Sequence, residues 1–334
     1  MSRLFRHARA ASRQGLVIAY TLSAWPLGIY LMTQRSPWLD AVGVLLVSHA
    51  LIYSAYLLHD CAHHAVLSTG AQNDRLGILL GWINGACLAS YARLKRKHLR
   101  HHADRLDVVT FDYRAALGAA PRFVRQLALA LEWAYIPAVE LIMRGMIIAM
   151  PFQQGAARER FRMIGLLAIR LAAFAALALI SLRAILLYAL AYLIFLTVLR
   201  FMDAFQHTYD VFVSRSLEPA PLDPRRTRQY EYENTFSNIV SLRQPLLDLL
   251  VLNFGYHNAH HVRPGEPWYR LPALHAELFG PGDKQVLGFG ALVASFHRHR
   301  VARVLATDYG EVTAGGERAS RFVGAVGVSF LTAV

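Results

Sequence analysis

Nine histidines fall into three short clusters, HDCAHH at 59–64, HLRHH at 98–102 and HNAHH at 257–261, each beside a long apolar stretch. No other feature constrains the fold as strongly, because segments suited to lipid must bring polar, metal-seeking side chains to a common place. On a helix, residues three and four apart share a face. His59 and His63, or His98 with His101 and His102, can therefore aim at one point. A lone histidine beside an apolar run is more often a satisfied core residue than a ligand. Recurrence of the same spacing logic, histidines three or four apart, in three boxes is what points to a shared metal centre. Imidazole suits zinc, copper, iron and nickel, and this many nitrogens exceeds the four that one tetrahedral zinc uses, so two metal ions are expected.

Hydrophobic residues make up 55% of the 334 positions and charged ones 17%. Four apolar runs, 15–33, 39–58, 164–180 and 184–202, approach the ~20 residues that cross a hydrocarbon core. The last two are separated by Ser181, Leu182 and Arg183 and predict a helical hairpin. Arg3, Arg6, Arg9 and Arg13 precede the first run, whereas the turns after the first and third runs offer only Arg35 and Arg183. The positive-inside rule then places the amino terminus in the cytoplasm, and two crossings out and back return every histidine box to that face. The expected fold class is an all-α integral membrane protein, with four transmembrane helices and a cytoplasmic helical cap carrying the boxes. Its divisions would be a basic cytoplasmic segment 1–14, a membrane domain 15–280 and a C-terminal cytoplasmic segment 281–334.

Residues 76–91 are apolar but short, with Gly77, Gly81 and Gly85 at intervals of four, and predict a re-entrant or buried helix leading to the second box. Residues 123–151 mix apolar side chains with Arg125, Glu132, Glu140 and Arg144, a pattern expected of amphipathic helices along the interface. Pro219, Pro221, Pro224 and four arginines mark 214–234 as a cytoplasmic connector or lid. The stretch 320–334 is apolar, too short to span, and carries no functional reading.

The formal net charge of +13 could suggest nucleic acid. The arginines flank membrane segments, however, without interleaving with exposed aromatics, so anionic lipid head groups account for them better. Only Lys95, Lys97 and Lys284 are lysines, a bias that hints at a GC-rich bacterial genome and an inner membrane. Cys61 and Cys87 are too few for an iron–sulfur cluster or a disulfide framework. A dinucleotide-binding glycine fingerprint and a P-loop are both missing. The first apolar run is long and lacks a small-residue cleavage site, which disfavours a signal peptide.

His207, just past the fourth run, would arrive at the level of the boxes. His7, His49, His275, His297 and His299 have no box partners, and His49 lies ten residues before His59, too deep along a helix to reach the metals. With these residues in view, the chain resembles the membrane fatty-acid desaturase and hydroxylase superfamily over about 39–278. HDCAHH looks like its first box and KHLRHH its second. NFGYHNAHHVRPGEPWYRLPALH resembles the third box with its downstream context, and FQHT the extra histidine motif. The resemblance implies a non-haem di-iron centre with His59, His63, His98, His101, His102, His207, His257, His260 and His261 as iron ligands. His64 falls one position past the His59 and His63 face.

Neutral imidazoles around two ferrous ions leave positive charge that nearby carboxylates must offset, and Asp60, Asp104, Asp107 and Asp203 are placed to help. Asp203 and Asp60 are the expected catalytic carboxylates. Asp203 stands one helical turn before His207 and so should share its face. In the acyl-CoA branch of the resembling family an asparagine holds that offset. The resemblance further implies dioxygen as co-substrate, a lipid or acyl-chain substrate, and electrons from a separate ferredoxin or cytochrome-type donor with its reductase. Arg93, Lys95, Arg96 and Lys97 form a basic surface that could steer an acidic donor. An acyl-lipid desaturase is the leading expectation. Hydroxylase or ketolase action on a lipid, alkane or carotenoid is the alternative. Metal transport is disfavoured because the boxes sit at span ends and not at the bilayer midplane.

Overall fold

The structure, a computed structural model, describes residues 4–154, 156–216, 218–280, 282–310, 312, 319 and 321–332. Arg3, Leu217 of the connector, and Ser320, Ala333 and Val334 of the terminal stretch lie outside the described residues.

Helices dominate. α1 (Ala11–Thr33) and α2 (Pro37–Ala62) form a first antiparallel pair, followed by α3 (Gly70–Asn84) and α4 (Tyr91–Asp104). After β1 (Asp107–Val109) come α5 (Tyr113–Ala119), α6 (Arg122–Trp133) and α7 (Ala138–Gln154). The second long pair is α8 (Ala157–Ile180) and α9 (Leu182–Ala204). β2 (Val211–Val213), α10 (Arg228–Glu233), α11 (His257–Val262), α12 (Leu271–Leu278), α13 (Phe289–Arg298) and α14 (Ala302–Leu305) complete the chain. The expectation of a purely helical fold needs one correction. Asp107–Val109 pairs in parallel with Val211–Val213, a short ladder that clamps the end of α4 to the segment after α9.

α1, α2, α8 and α9 are long and apolar enough to cross a membrane. α2 is the interior member, packed on α1, α3 and α9, whereas α8 leaves Phe161, Ile169, Leu171 and Leu179 exposed. Contiguous exposed apolar side chains of this extent suit lipid and not water. At one end of the array Arg183 donates to Asp40 at 2.6 Å and to the Gln34 carbonyl, tying the α8–α9 turn to the α1–α2 turn. The opposite end holds the histidines, since α2 and α9 both run toward it.

Local chemistry sets the helix limits that aim the boxes. Thr69 and Gln72 form a capping box at the start of α3, and Gly85 closes that helix with φ +83°. A side chain there would meet the Tyr192 hydroxyl, which instead bonds the Asn84 carbonyl at 3.2 Å. The buried helix expected at 76–91 is thus two elements, α3 ending at Asn84 and α4 starting at Tyr91, with Ser90 as the α4 cap.

The helices of 123–151 depart from the interfacial expectation in their charges. Glu132, Glu140 and Arg144 are buried, not laid on a polar face. Glu132 accepts from Arg200 of α9 at 2.5 Å and from the Val139 amide at 3.1 Å, and Glu140 lies 3.2 Å from the same guanidinium. The sequence pattern registered charge on these helices; only packing against α9 supplied Arg200 as their partner. Removing one partner of a buried ion pair costs about 3–5 kcal/mol because the remaining charge is stranded. Arg200→Met is therefore expected to lower the thermal unfolding midpoint in detergent strongly. An unchanged midpoint would show that the pair carries no net stabilisation.

Candidate metal centre

Four chain segments deliver the histidines. α2 carries His59 and is followed at once by His63, α4 carries His98, His101 and His102, and the six-residue α11 carries His257, His260 and His261. His207 lies just past the end of α9 and is held by backbone pairing with Thr235. Their ring nitrogens gather into two groups, His59, His63, His98, His102 and His260 in one and His101, His207, His257 and His261 in the other, each group's atoms within 4.8 Å of one another. Positions i and i+4 of α4 go to the first group and i+3 to the second. In α11, His260 goes to the first group and His257 and His261 to the second. Two short helices thus bridge the groups.

The contacts within each group identify what chemistry it can hold. His98 Nε2 lies 2.7 Å from His63 Nε2 and 3.2 Å from His102 Nε2, and His102 Nε2 lies 3.1 Å from His260 Nε2. His207 Nε2 sits 2.9 Å from both His261 Nε2 and His257 Nε2. One ring nitrogen brings either one hydrogen or one lone pair, so linked contacts of this kind cannot all be hydrogen bonds. His59 Nε2 is buried with no hydrogen-bond partner. Lone pairs converging on a common cation satisfy all of them, and nitrogens bonded to one ion at about 2.0–2.1 Å sit close to this spacing.

Protonation is opposed here. Burial, and then the charge of neighbouring histidines, holds His98, His102, His207, His257 and His260 well below the ordinary imidazole value. Burial puts His63 at about 3 and His261 at about 4, the latter despite a hydrogen bond to Glu231 that raises it. Neutral imidazole is the ligating form.

Carboxylates hold several rings from behind. His59 Nδ1 lies 3.3 Å from Asp60 Oδ1, whose other oxygen accepts the Trp268 amide at 3.1 Å. His101 Nδ1 is 3.2 Å from Asp107 Oδ1 and 3.0 Å from the Leu106 carbonyl. His261 Nδ1 is 3.2 Å from Glu231 Oε1. A carboxylate at Nδ1 fixes the tautomer that leaves the Nε2 lone pair for metal. A cavity of about 40 Å³ adjoins both groups, lined by His98, His101, His207 and His257 together with Asp203, Lys97, Phe254 and Phe330.

The fatty acid desaturase family model matches residues 36–291, most of the chain. The chain belongs to the fatty acid desaturase family. No curated protein matches it.

Within this desaturase-family chain, all nine histidines expected from sequence lie in the two groups. His64 does not. α2 ends at Ala62, His64 takes φ +56°, and its Nε2 meets Lys95 Nζ at 2.6 Å at the surface. His49 contacts Tyr20 and Tyr53 and stays clear of the groups. Asp104 is corrected as a carboxylate of the centre, because it pairs with Arg100 one turn back on α4. Asp203 and His207 do not share a helical face as expected, since α9 stops at Ala204; they are neighbours through the cavity they both line. Lys97 is buried and donates to the Ser329 and Thr332 carbonyls at 2.8 and 2.6 Å, and Lys95 pairs with Asp74, leaving Arg93 and Arg96 as the exposed members of that basic group.

Sequence reasoning missed Glu231, which sits in the proline- and arginine-rich connector with no motif to mark it. Burial alone would raise its carboxyl, but hydrogen bonds from His261, Arg105 and Arg228 outweigh it and hold the group at about 2. Arg105, at φ +52° just past α4, reaches it at 2.9 Å. Loss of such a supporting carboxylate typically weakens metal affinity by about 10–100-fold. Glu231→Gln is accordingly expected to weaken ferrous-ion binding in equilibrium titration by that order, with His64→Ala unchanged. Equal affinities in the two variants would remove Glu231 from the centre.

Proposed function

We propose that the chain is an oxygen-dependent acyl-lipid desaturase in which the nine histidines hold two iron ions. The observation that carries this reading is the pair of imidazole groups, five and four, sharing one cavity in a family member with four membrane-length helices. Two ferrous ions, when bound, supply the reduction of dioxygen. The balanced reaction converts a CH2–CH2 unit, one dioxygen, two electrons and two protons to an alkene and two waters. With oxygen retention the same inputs give an alcohol and one water, so hydroxylase or ketolase action on a lipid, alkane or carotenoid is the alternative.

In this reading the protein's own side chains orient and compensate. Asp60, Asp107 and Glu231 hold His59, His101 and His261 in the ligating tautomer, and the metal charge is offset by these groups and by Asp203. Asp203 faces the cavity with one carboxylate oxygen free of hydrogen bonds, which suits a water-linked or direct contact to metal. An apolar cleft of about 450 Å³ between α3, α4 and α8, with Leu58, Trp82, Leu94 and Ile169 among its walls, supports an acyl chain as ligand. Metal transport fits less well, since the histidines cluster at the ends of α2 and α9 and not along a path through the array.

Replacing His98, His207 or His260 by alanine is expected to lower bound iron and abolish turnover in cells supplied with a donor system. Asp203→Asn is expected to reduce both partially. Metal analysis of purified variants with mass spectrometry of cell lipids provides the check. Full iron and full product in His207→Ala would exclude that residue from the site, and the same result in Asp203→Asn would end its charge-compensating role.

Orientation belongs to the same proposal. The basic N-terminal segment supports a reading in which the centre and both termini face the cytoplasm, in a bacterial inner membrane, where a ferredoxin or cytochrome-type donor with its reductase would dock near exposed Arg93 and Arg96. Reporter fusions after residues near 110 and 230 should report cytoplasm, and those near 34 and 181 the opposite face. A signal from the far side at 110 would separate the first two boxes and sink the di-iron reading.

A further inference from the structure

Residues 321–332 lie beyond the stretch that the family shares, yet they reach the centre of the molecule. The Ala325 amide donates to the Ala204 carbonyl at 2.8 Å, where α9 ends, and Arg303 bonds the Val323 carbonyl. Two glycines let the segment through. Gly324, at φ +81°, would place a side chain 2.6 Å from the Ala204 carbonyl, and Gly327, at φ +76°, would place one against the Tyr113 ring. Beyond them Val328 and Phe330 line the cavity shared by the two histidine groups. The Phe330 ring centroid is 5.4 Å from that of His59 and 5.6 Å from that of His98. Lys97 fastens this end through the carbonyls of Ser329 and Thr332.

We infer that this segment is the end wall of the reaction pocket and that Phe330 is a substrate-positioning residue limiting how far a chain passes the histidines. The inference rests on the acyl-lipid reading above and refines it. Phe330 lines the cavity beside the histidines and packs against two rings of the first group, so a chain reaching that side of the centre meets its ring. An aromatic ring packed on two imidazoles, with its segment pinned at both ends, closes the space on the side of the first group. The oxidised carbon is therefore set by its distance from the end of the chain that rests on this wall.

The test compares wild type, Phe330→Ala and Phe330→Trp, expressed in host membranes with an electron-donor system, reading the oxidised position by mass spectrometry and iron per chain by metal analysis. Wild type is expected to oxidise at one fixed distance from the methyl end. Phe330→Ala should keep wild-type iron and move oxidation inward by one or more carbons, and Phe330→Trp should keep iron and lose most turnover. Lys97→Met, which frees the segment without touching Phe330, should shift the product in the same direction as Phe330→Ala. Wild-type product position in both Phe330→Ala and Lys97→Met overturns the wall, as does loss of iron in Phe330→Ala, which would make Phe330 a packing residue. Absence of any oxidised acyl chain with wild type overturns the acyl-lipid reading itself, and the wall with it.

Discussion

Nine imidazoles with converging lone pairs, most of them buried, are the arrangement on which the rest of the molecule depends. Protonation does not relieve the crowding at His98, His207 and His260, since burial and the charge of neighbouring histidines hold their affinity for protons down. Hydrogen bonding cannot relieve it either, because linked nitrogens at 2.7–3.2 Å have too few hydrogens to share. A cation held in each group would remove the conflict.

The scaffold around the two groups has the form this constraint requires. Rings that ligate through Nε2 need something to hold Nδ1, and Asp60, Asp107 and Glu231 serve three of them from three different segments. These carboxylates are themselves fixed, Asp60 by the Trp268 amide and Glu231 by Arg105 and Arg228. Several charges removed from water are paired, as with Arg200 between Glu132 and Glu140 and Arg183 against Asp40.

The shared family core ends near residue 291, and residues 321–332 lie outside it. A pocket wall built from that segment separates two tasks. In the proposed enzyme the histidines and their carboxylates would fix the chemistry, while a threaded segment fastened by Lys97 and two glycine passages would shape the space beside it. Shape and chemistry can then vary independently, as expected when regiochemistry is set by what the walls admit and not by the ligands.

Sequence alone determined the four long apolar helices, because their length and composition answer to lipid thickness and not to any partner. Box spacing and the even number of spans between boxes brought eight of the nine histidines to one end; His207, outside the boxes, and the exclusion of His64 from the set came from the family resemblance. Tertiary structure decided how those nine divide, since α4 and α11 each feed both groups and no spacing rule says which ring goes where. It made Glu231, in an unmarked connector, the partner of His261, and took Asp104 away to Arg100, because the nearest opposite charge in space outweighs the nearest in sequence. It brought Asp203 to the cavity although α9 ends before His207. It also carried residues 321–332, an apolar stretch without motif or period, back across the chain to the histidines. Contacts between residues more than two hundred positions apart, such as Lys97 with Ser329, are written in packing and hydrogen bonds that no local pattern encodes.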